Sequence, residues 1–219
     1  EIDRGHVPEG SGMIRNVIFD MGGVLIDWNP AAIVARLGRS RDDSALLLRE
    51  VFGGMEWVSM DHGIMTQQEG YERICRRLPE QLHEDARCCV FDWWKESLSP
   101  IPGMAELVRE IRVLGYGIYL LSNATSTLHP FFDRIPGSEC FDGKLVSADV
   151  RLLKPQHEIF ELLFETFSLR PEECFFIDDN AANIDGAFAV GMPGAGFFRD
   201  FARLRRELRA AGVSVKEQT

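Results

Sequence analysis

Short apolar runs alternate along this chain with longer stretches in which apolar residues recur every three or four positions. Residues 17–19, 117–121 and 174–177 are apolar or nearly so throughout, as strands buried on both faces of a parallel sheet must be. Residues 144–147 and the run "GAGFF" ending at Phe198 are weaker strand candidates. Helical spacing fills the gaps. "PGMAELVREIRVLG" starts at Pro102, repeats Leu107, Val108, Ile111 and Leu114, and ends on Gly115 as a C-terminal cap. "PQHEIFELLFETFSL" repeats Ile159, Phe160, Leu163 and Phe167, and "NAANIDGAFAVG" is a small-residue helix closed by Gly191. This alternation predicts an α/β fold, a Rossmann-like three-layer core around a central parallel sheet.

Residues 29–99 break the alternation, because only helical patterns occur there. Asn29-Pro30 reads as N-cap and first helical residue, Thr66-x-x-Glu69 as a capping box, and "EDARCCVFDWWKESL" as one further helix. An all-helical insert after the first strand predicts a cap (29–99) over a core formed by 13–28 and 100–219. Residues 1–12, "EIDRGHVPEGSG", are polar with Gly and Pro, and read as a disordered tail or an expression remnant, with Met13 a natural start.

Composition narrows the partners. Of 219 residues, 24 are Lys or Arg and 34 are Asp or Glu, a formal charge of −10. A chain so acidic lacks the basic face that nucleic acid or an anionic membrane requires. That charge also makes "FFRDFARLRREL" a solvated helix packed on the core rather than a membrane anchor. The five cysteines form no CxxC pair, so neither a disulfide framework nor a zinc site is expected, and a reducing cytoplasm is the simplest setting.

In an open parallel sheet ligands bind beyond the carboxyl ends of the strands. There the predicted strands deliver Asp20, then Ser122 and Asn123, then Asp178, Asp179 and Asn180, with Lys154 in the loop "RLLKPQ". Three carboxylates converging on one crevice repel unless cations sit among them. Lys154 supplies one, and a hard divalent ion such as Mg²⁺ answers the remainder. Hydroxyl and amide groups at Ser122 and Asn123 suit a phosphate, so the set fits phosphoryl transfer with a carboxylate nucleophile.

Four segments in this order, "FDMGGVL", "LLSNAT", "LLKPQHEIF" and "FFIDDNAANIDGA", resemble the haloacid dehalogenase-like superfamily, with a helical insert where its first type of cap belongs. Response-regulator receivers combine similar residues in a different order and lack the cap. The resemblance implies that Asp20 attacks phosphorus and forms an aspartyl-phosphate. It implies that Ser122 and Asn123 hold the phosphoryl group and that Lys154 pairs with both. It places the metal at Asp20, the backbone carbonyl of Gly22, and Asp179, with Asp178 as neighbour or partner.

Phosphatases of the superfamily carry a second aspartate two residues after the nucleophile, as proton donor and then base. Here that position is Gly22. Three accounts stay open: a substitute such as Asp27 or His62, a substrate with a good leaving group such as a sugar 1-phosphate, or weak or absent catalysis, leaving a protein that binds phosphate esters. The superfamily's metal-independent 2-haloacid dehalogenases also lack that aspartate, but they do not need the acidic pair Asp178-Asp179. The reading is therefore a Mg²⁺-dependent phosphatase of a small phosphorylated metabolite, most similar to the sugar-phosphate subgroup. Within the cap, Asp61-His62-Gly63 reads as the tip facing the site, with Trp57 stacking on substrate and Asp61 accepting hydroxyl bonds.

Overall fold

The computed structural model describes residues 13–217, so the proposed tail at 1–12 lies outside the described residues. Five strands form one parallel sheet in the order β3-β2-β1-β4-β5: β1 Asn16–Phe19, β2 Gly117–Ser122, β3 Gly143–Val146, β4 Cys174–Asp178 and β5 Gly194–Gly196. The helices are α1 Pro30–Ala35, α2 Arg41–Leu47, α3 Met55–Asp61, α4 Gln67–Cys75, α5 His83–Arg87, α6 Trp93–Ser97, α7 Met104–Val113, α8 Leu128–Phe132, α9 Ser147–Val150, α10 His157–Phe167, α11 Ala181–Ala189 and α12 Phe201–Ala210.

The unbroken apolarity of the strands has a direct cause. Val17, Phe19, Ile118, Leu120, Phe175 and Ile177 point to one face, against Leu107, Val108 and Ile111 of α7 and Leu204 and Leu208 of α12. Ile18, Leu121, Leu145 and Phe176 point to the other, against Ile159, Phe160 and Leu163 of α10 and Ile184 and Ala187 of α11. Alternate residues thus enter two separate cores, and neither strand face can be polar. Each fully buried side chain of this size contributes roughly 1.5–3 kcal/mol.

Neighbouring β2 and β4 flank β1 and lead away from it in opposite directions, so the crevice opens beyond the carboxyl end of β1. The β1–β4 ladder runs on one residue past β1, with Asp20 N–H donating to the Ile177 carbonyl at 2.9 Å.

From Pro30 to Ser97 the secondary structure is helical. Asn29 caps α1 through Ala32 N–H at 3.0 Å with Pro30 in the first turn, and Thr66 and Glu69 close a reciprocal capping box on α4. The helix expected over "EDARCCVFDWWKESL" is broken: a wide π-type turn at Cys88–Asp92 separates α5 from α6. Trp93, the residue after that turn, lines the crevice. Two smaller differences have local causes. The first turn of α7 begins at Met104, because Gly103 has a left-handed φ of 90°. Ser147 opens α9 and does not end β3. Among the described residues, no helix is long and apolar enough to cross a membrane.

Candidate active site

The strand ends converge as their order requires. Asp20, Met21, Gly22, Asn123, Lys154, Asp179, Asn180 and Asn183 line the inner part of an open cavity of about 250 Å³. Its outer wall is largely aromatic and apolar, formed by Trp28, Trp57, Trp93, Leu128 and Phe131, with Asp61, Thr125 and Thr127 as polar interruptions. The indoles of Trp28 and Trp93 meet edge to face at 4.7 Å, and Trp28 also packs on Trp57 at 5.4 Å.

Lys154 is the electrostatic centre of the inner part. Its Nζ lies 2.8 Å from Asp20 Oδ1, 2.6 Å from Asp178 Oδ2 and 2.9 Å from the Leu121 carbonyl. An ammonium has three protons, and all three have partners. Burial opposes its charge, but Asp20 and Asp178 overcome that and hold its pKa above the ordinary lysine value. The loop that carries it is clamped by Asn123, whose side chain donates to the Lys154 carbonyl at 3.0 Å and accepts from the Lys154 N–H at 2.9 Å.

Asp178 and Asp179 differ sharply. Asp178 is fully buried and saturated: it accepts from Lys154, from the Asn180 N–H at 2.8 Å, and from Asn183 Nδ2 at 3.1 and 3.0 Å. The Asp179 side chain is turned toward the cavity. Gly23 makes room for it. With φ +73°, a Cβ on Gly23 would lie 2.0 Å from Asp179 Oδ2, so no other residue fits without displacing that carboxylate.

Carboxylate oxygens of Asp20, Asp178 and Asp179 all lie within 4.8 Å of one another. Burial pushes the Asp20 carboxyl up to about 7, with Lys154 opposing and Asp178 reinforcing the rise. Burial and then Asp178 also raise Asp179. Three ionised carboxylates beside one ammonium leave two negative charges, which a divalent cation neutralises. Oxygen-only donors, one of them an unsaturated carboxylate facing the cavity, suit a hard ion.

Of the residues singled out in the sequence, Asp20, Gly22, Asn123, Lys154, Asp179, Trp57 and Asp61 line the cavity. Ser122 is buried at the end of β2 and does not reach the cavity wall. Asp27 pairs with Arg199, and the His62 ring lies 3.1 Å from the Arg151 carbonyl; neither lines the cavity. Sequence reasoning missed the aromatic wall at Trp28, Trp93 and Phe131. It also missed Asn183, whose signal was its place five residues after Asp178, in the first turn of a helix capped by Asn180.

A family model described as haloacid dehalogenase-like hydrolase matches residues 14–191. A sesquiterpene phosphatase of Aspergillus oryzae is 29% identical over 181 residues, covering 82% of this chain and 88% of that protein. An (S)-2-haloacid dehalogenase of Pseudomonas sp. is 25% identical over 191 residues, covering 82% and 81%. The magnesium complex of a HAD family enzyme from Bacteroides thetaiotaomicron shares the fold, with a TM-score of 0.67 at 23% identity over 89% of this chain and 100% of that one. With four motifs gathered at one sheet edge and a family match over most of its length, the chain belongs to the haloacid dehalogenase-like hydrolases.

Proposed function

We propose that the protein is a Mg²⁺-dependent phosphatase of a small phosphorylated metabolite, with the helical segment after β1 serving as its cap. The observation that carries this reading is the cluster of Asp20, Asp178 and Asp179 around a single lysine. Without a second cation such a cluster is a liability, and a phosphoryl group with its metal makes use of it. The phosphatase among the relatives and the magnesium bound in a neighbouring structure support the same choice.

Asp20 attacks phosphorus, the bond to the leaving oxygen breaks, and water then hydrolyses the aspartyl-phosphate. Lys154 holds Asp20 in place and opposes the rise that burial imposes on its carboxyl; a bound phosphoryl oxygen shares the proton directed at Asp20. Asp179 and the Gly22 carbonyl complete the metal set with Asp20, while Asp178, saturated by its own donors, orients Lys154. A bound Mg²⁺ supplies charge neutralisation for the phosphoryl oxygens. The aromatic wall suits a flat or apolar organic group better than a sugar, whose hydroxyls would find few partners beyond Asp61, Thr125 and Thr127.

The test is phosphate release from a panel of phosphate monoesters. Asp20→Asn abolishes it, and a chelator does the same until Mg²⁺ is returned. Halide release from 2-haloacids that persists in chelator selects the dehalogenase reading, which the haloacid-processing relative and Gly22 favour. Tight ester binding with no turnover selects a non-enzymatic role.

A further inference from the structure

Hydrolysis at this site needs a proton for the leaving oxygen, and residue 22 cannot supply it. Gly22 has no side chain, and a Cβ there would project onto Trp28, 3.4 Å from its Cβ.

Among the described residues, the carboxylates and amines that line the cavity are Asp20, Lys154, Asp179 and Asp61. The first three belong to one ion cluster: Lys154 has no spare proton, and Asp20 and Asp179 face the cation. Asp61 alone is outside that cluster, at the C-terminal end of α3, in the part of the cavity lined by aromatic side chains.

Its position is fixed by the core rather than left to a mobile lid. The Ser147 hydroxyl accepts from the Ala124 N–H at 2.9 Å and donates to the Asp61 carbonyl at 2.5 Å, so one residue of α9 ties the helix end to the loop after β2. The His62 ring is seated on the Arg151 carbonyl. At Gly63, with φ +69°, a Cβ would lie 2.1 Å from the Ala148 carbonyl oxygen, so the backbones of tip and core meet at a distance only glycine allows.

We infer that Asp61 is the proton donor and acceptor of the reaction, delivered by the helical segment in place of the side chain missing at residue 22. The inference rests on the phosphatase reading above. As the Asp20 oxygen bonds to phosphorus, the bond from phosphorus to the leaving oxygen breaks. Its electron pair stays on that oxygen, which takes the Asp61 proton. The Asp61 carboxylate then removes a proton from water as the water oxygen bonds to phosphorus and the Asp20–phosphorus bond breaks. Ester and water become alcohol and phosphate, and both aspartates return to their starting states. Enclosure by protein agrees with this assignment: it pushes the Asp61 carboxyl up to about 8, against the Trp57 side chain and the Thr125 backbone. The group therefore holds its proton at neutral pH.

The experiment compares Asp61→Asn with the parent protein, in Mg²⁺, on n-hexyl phosphate and on 4-nitrophenyl phosphate. Hexanol needs a proton to leave, whereas nitrophenolate does not. Turnover of the hexyl ester falls by about 100-fold or more, the loss expected of a missing general acid. The first-turnover burst of nitrophenolate falls far less and is followed by slow breakdown of the aspartyl-phosphate. Asp61→Glu recovers part of the hexyl activity. Equal losses in the two first-turnover rates, or no loss with the hexyl ester, overturns the inference. If the parent protein and Asp20→Asn release the same phosphate from both esters, the phosphatase reading itself fails.

Discussion

Lys154 offers the sharpest test of the site's electrostatics. Replacing it with Met keeps length and apolar bulk but removes the ammonium that touches Asp20 and Asp178 in a position where the lysine side chain is 1% exposed. Breaking a buried ion pair from one side costs about 3–5 kcal/mol, because the partner is left charged and dry. The Leu121 carbonyl loses a donor as well, which adds on the order of 1 kcal/mol. At roughly 2–4 °C per kcal/mol for a domain of this size, Lys154→Met should melt about 8–24 °C below the parent. Scanning calorimetry in chelator reads this directly. The cause can be isolated with Asp178→Asn. If the cost is a stranded carboxylate, removing that charge in the Lys154→Met background returns a large part of the loss, whereas the same change beside an intact Lys154 destabilises. A melting point within about 4 °C of the parent, or a double variant no more stable than Lys154→Met alone, would refute the reasoning.

Gly23→Ala should cut Mg²⁺ affinity at least tenfold by magnesium titration, because the added methyl occupies the place of Asp179 Oδ2, while the left-handed backbone costs only about 1–2 kcal/mol in stability. Asp61 should also leave a mark on stability against pH. Its folded pKa is raised from 3.8 to about 8, so between those values the folded state holds a proton the unfolded chain has lost. Stability from this group is complete below about 4 and is lost as pH rises toward 8. Urea unfolding in chelator should therefore give a flatter pH profile for Asp61→Asn than for the parent, with Asp20 contributing equally to both; coincident slopes would remove the shifted Asp61.

How much of this was legible in the sequence follows from how each feature is encoded. The strands were readable because burial on two faces forces apolarity at every position, and the caps at Asn29 and Thr66 because capping is a local hydrogen bond. The inner half of the site was readable for the same reason: Asp20, Asn123 and Asp179 each directly follow a strand, β1, β2 and β4, so linear order already places them at one sheet edge, although Ser122, the last residue of β2, stays buried behind it. The outer half was not. Trp28, Trp93 and Phe131 come from three separate elements and meet only through packing, and Trp93 arrives there through a wide turn with no signature in an otherwise regular helical pattern. Asp27 and His62 are suitable residue types, but Arg199 and the Arg151 carbonyl, far away in sequence, decide where they point.

The same distinction explains why a missing aspartate in the first motif does not settle the chemistry. In the proposed reaction the nucleophile and its counter-charge must sit in a fixed relation to the sheet edge, since both would touch the same phosphoryl group, and here a lysine saturated by three acceptors enforces that relation. A proton donor has a looser requirement: it must reach one oxygen on the far side of phosphorus, from any element that borders the cavity. Gly22 offers no side chain beside Asp20, and the seat built by Ser147 and Gly63 holds Asp61 at the outer wall of the cavity. On the proposed assignment the proton donor, Asp61, is carried by the same helical segment that supplies Trp57 and Trp93 to the aromatic pocket. On this arrangement proton transfer is complete only when the organic half of the ester is seated between Asp20 and Asp61, and selection of the substrate becomes part of the chemistry.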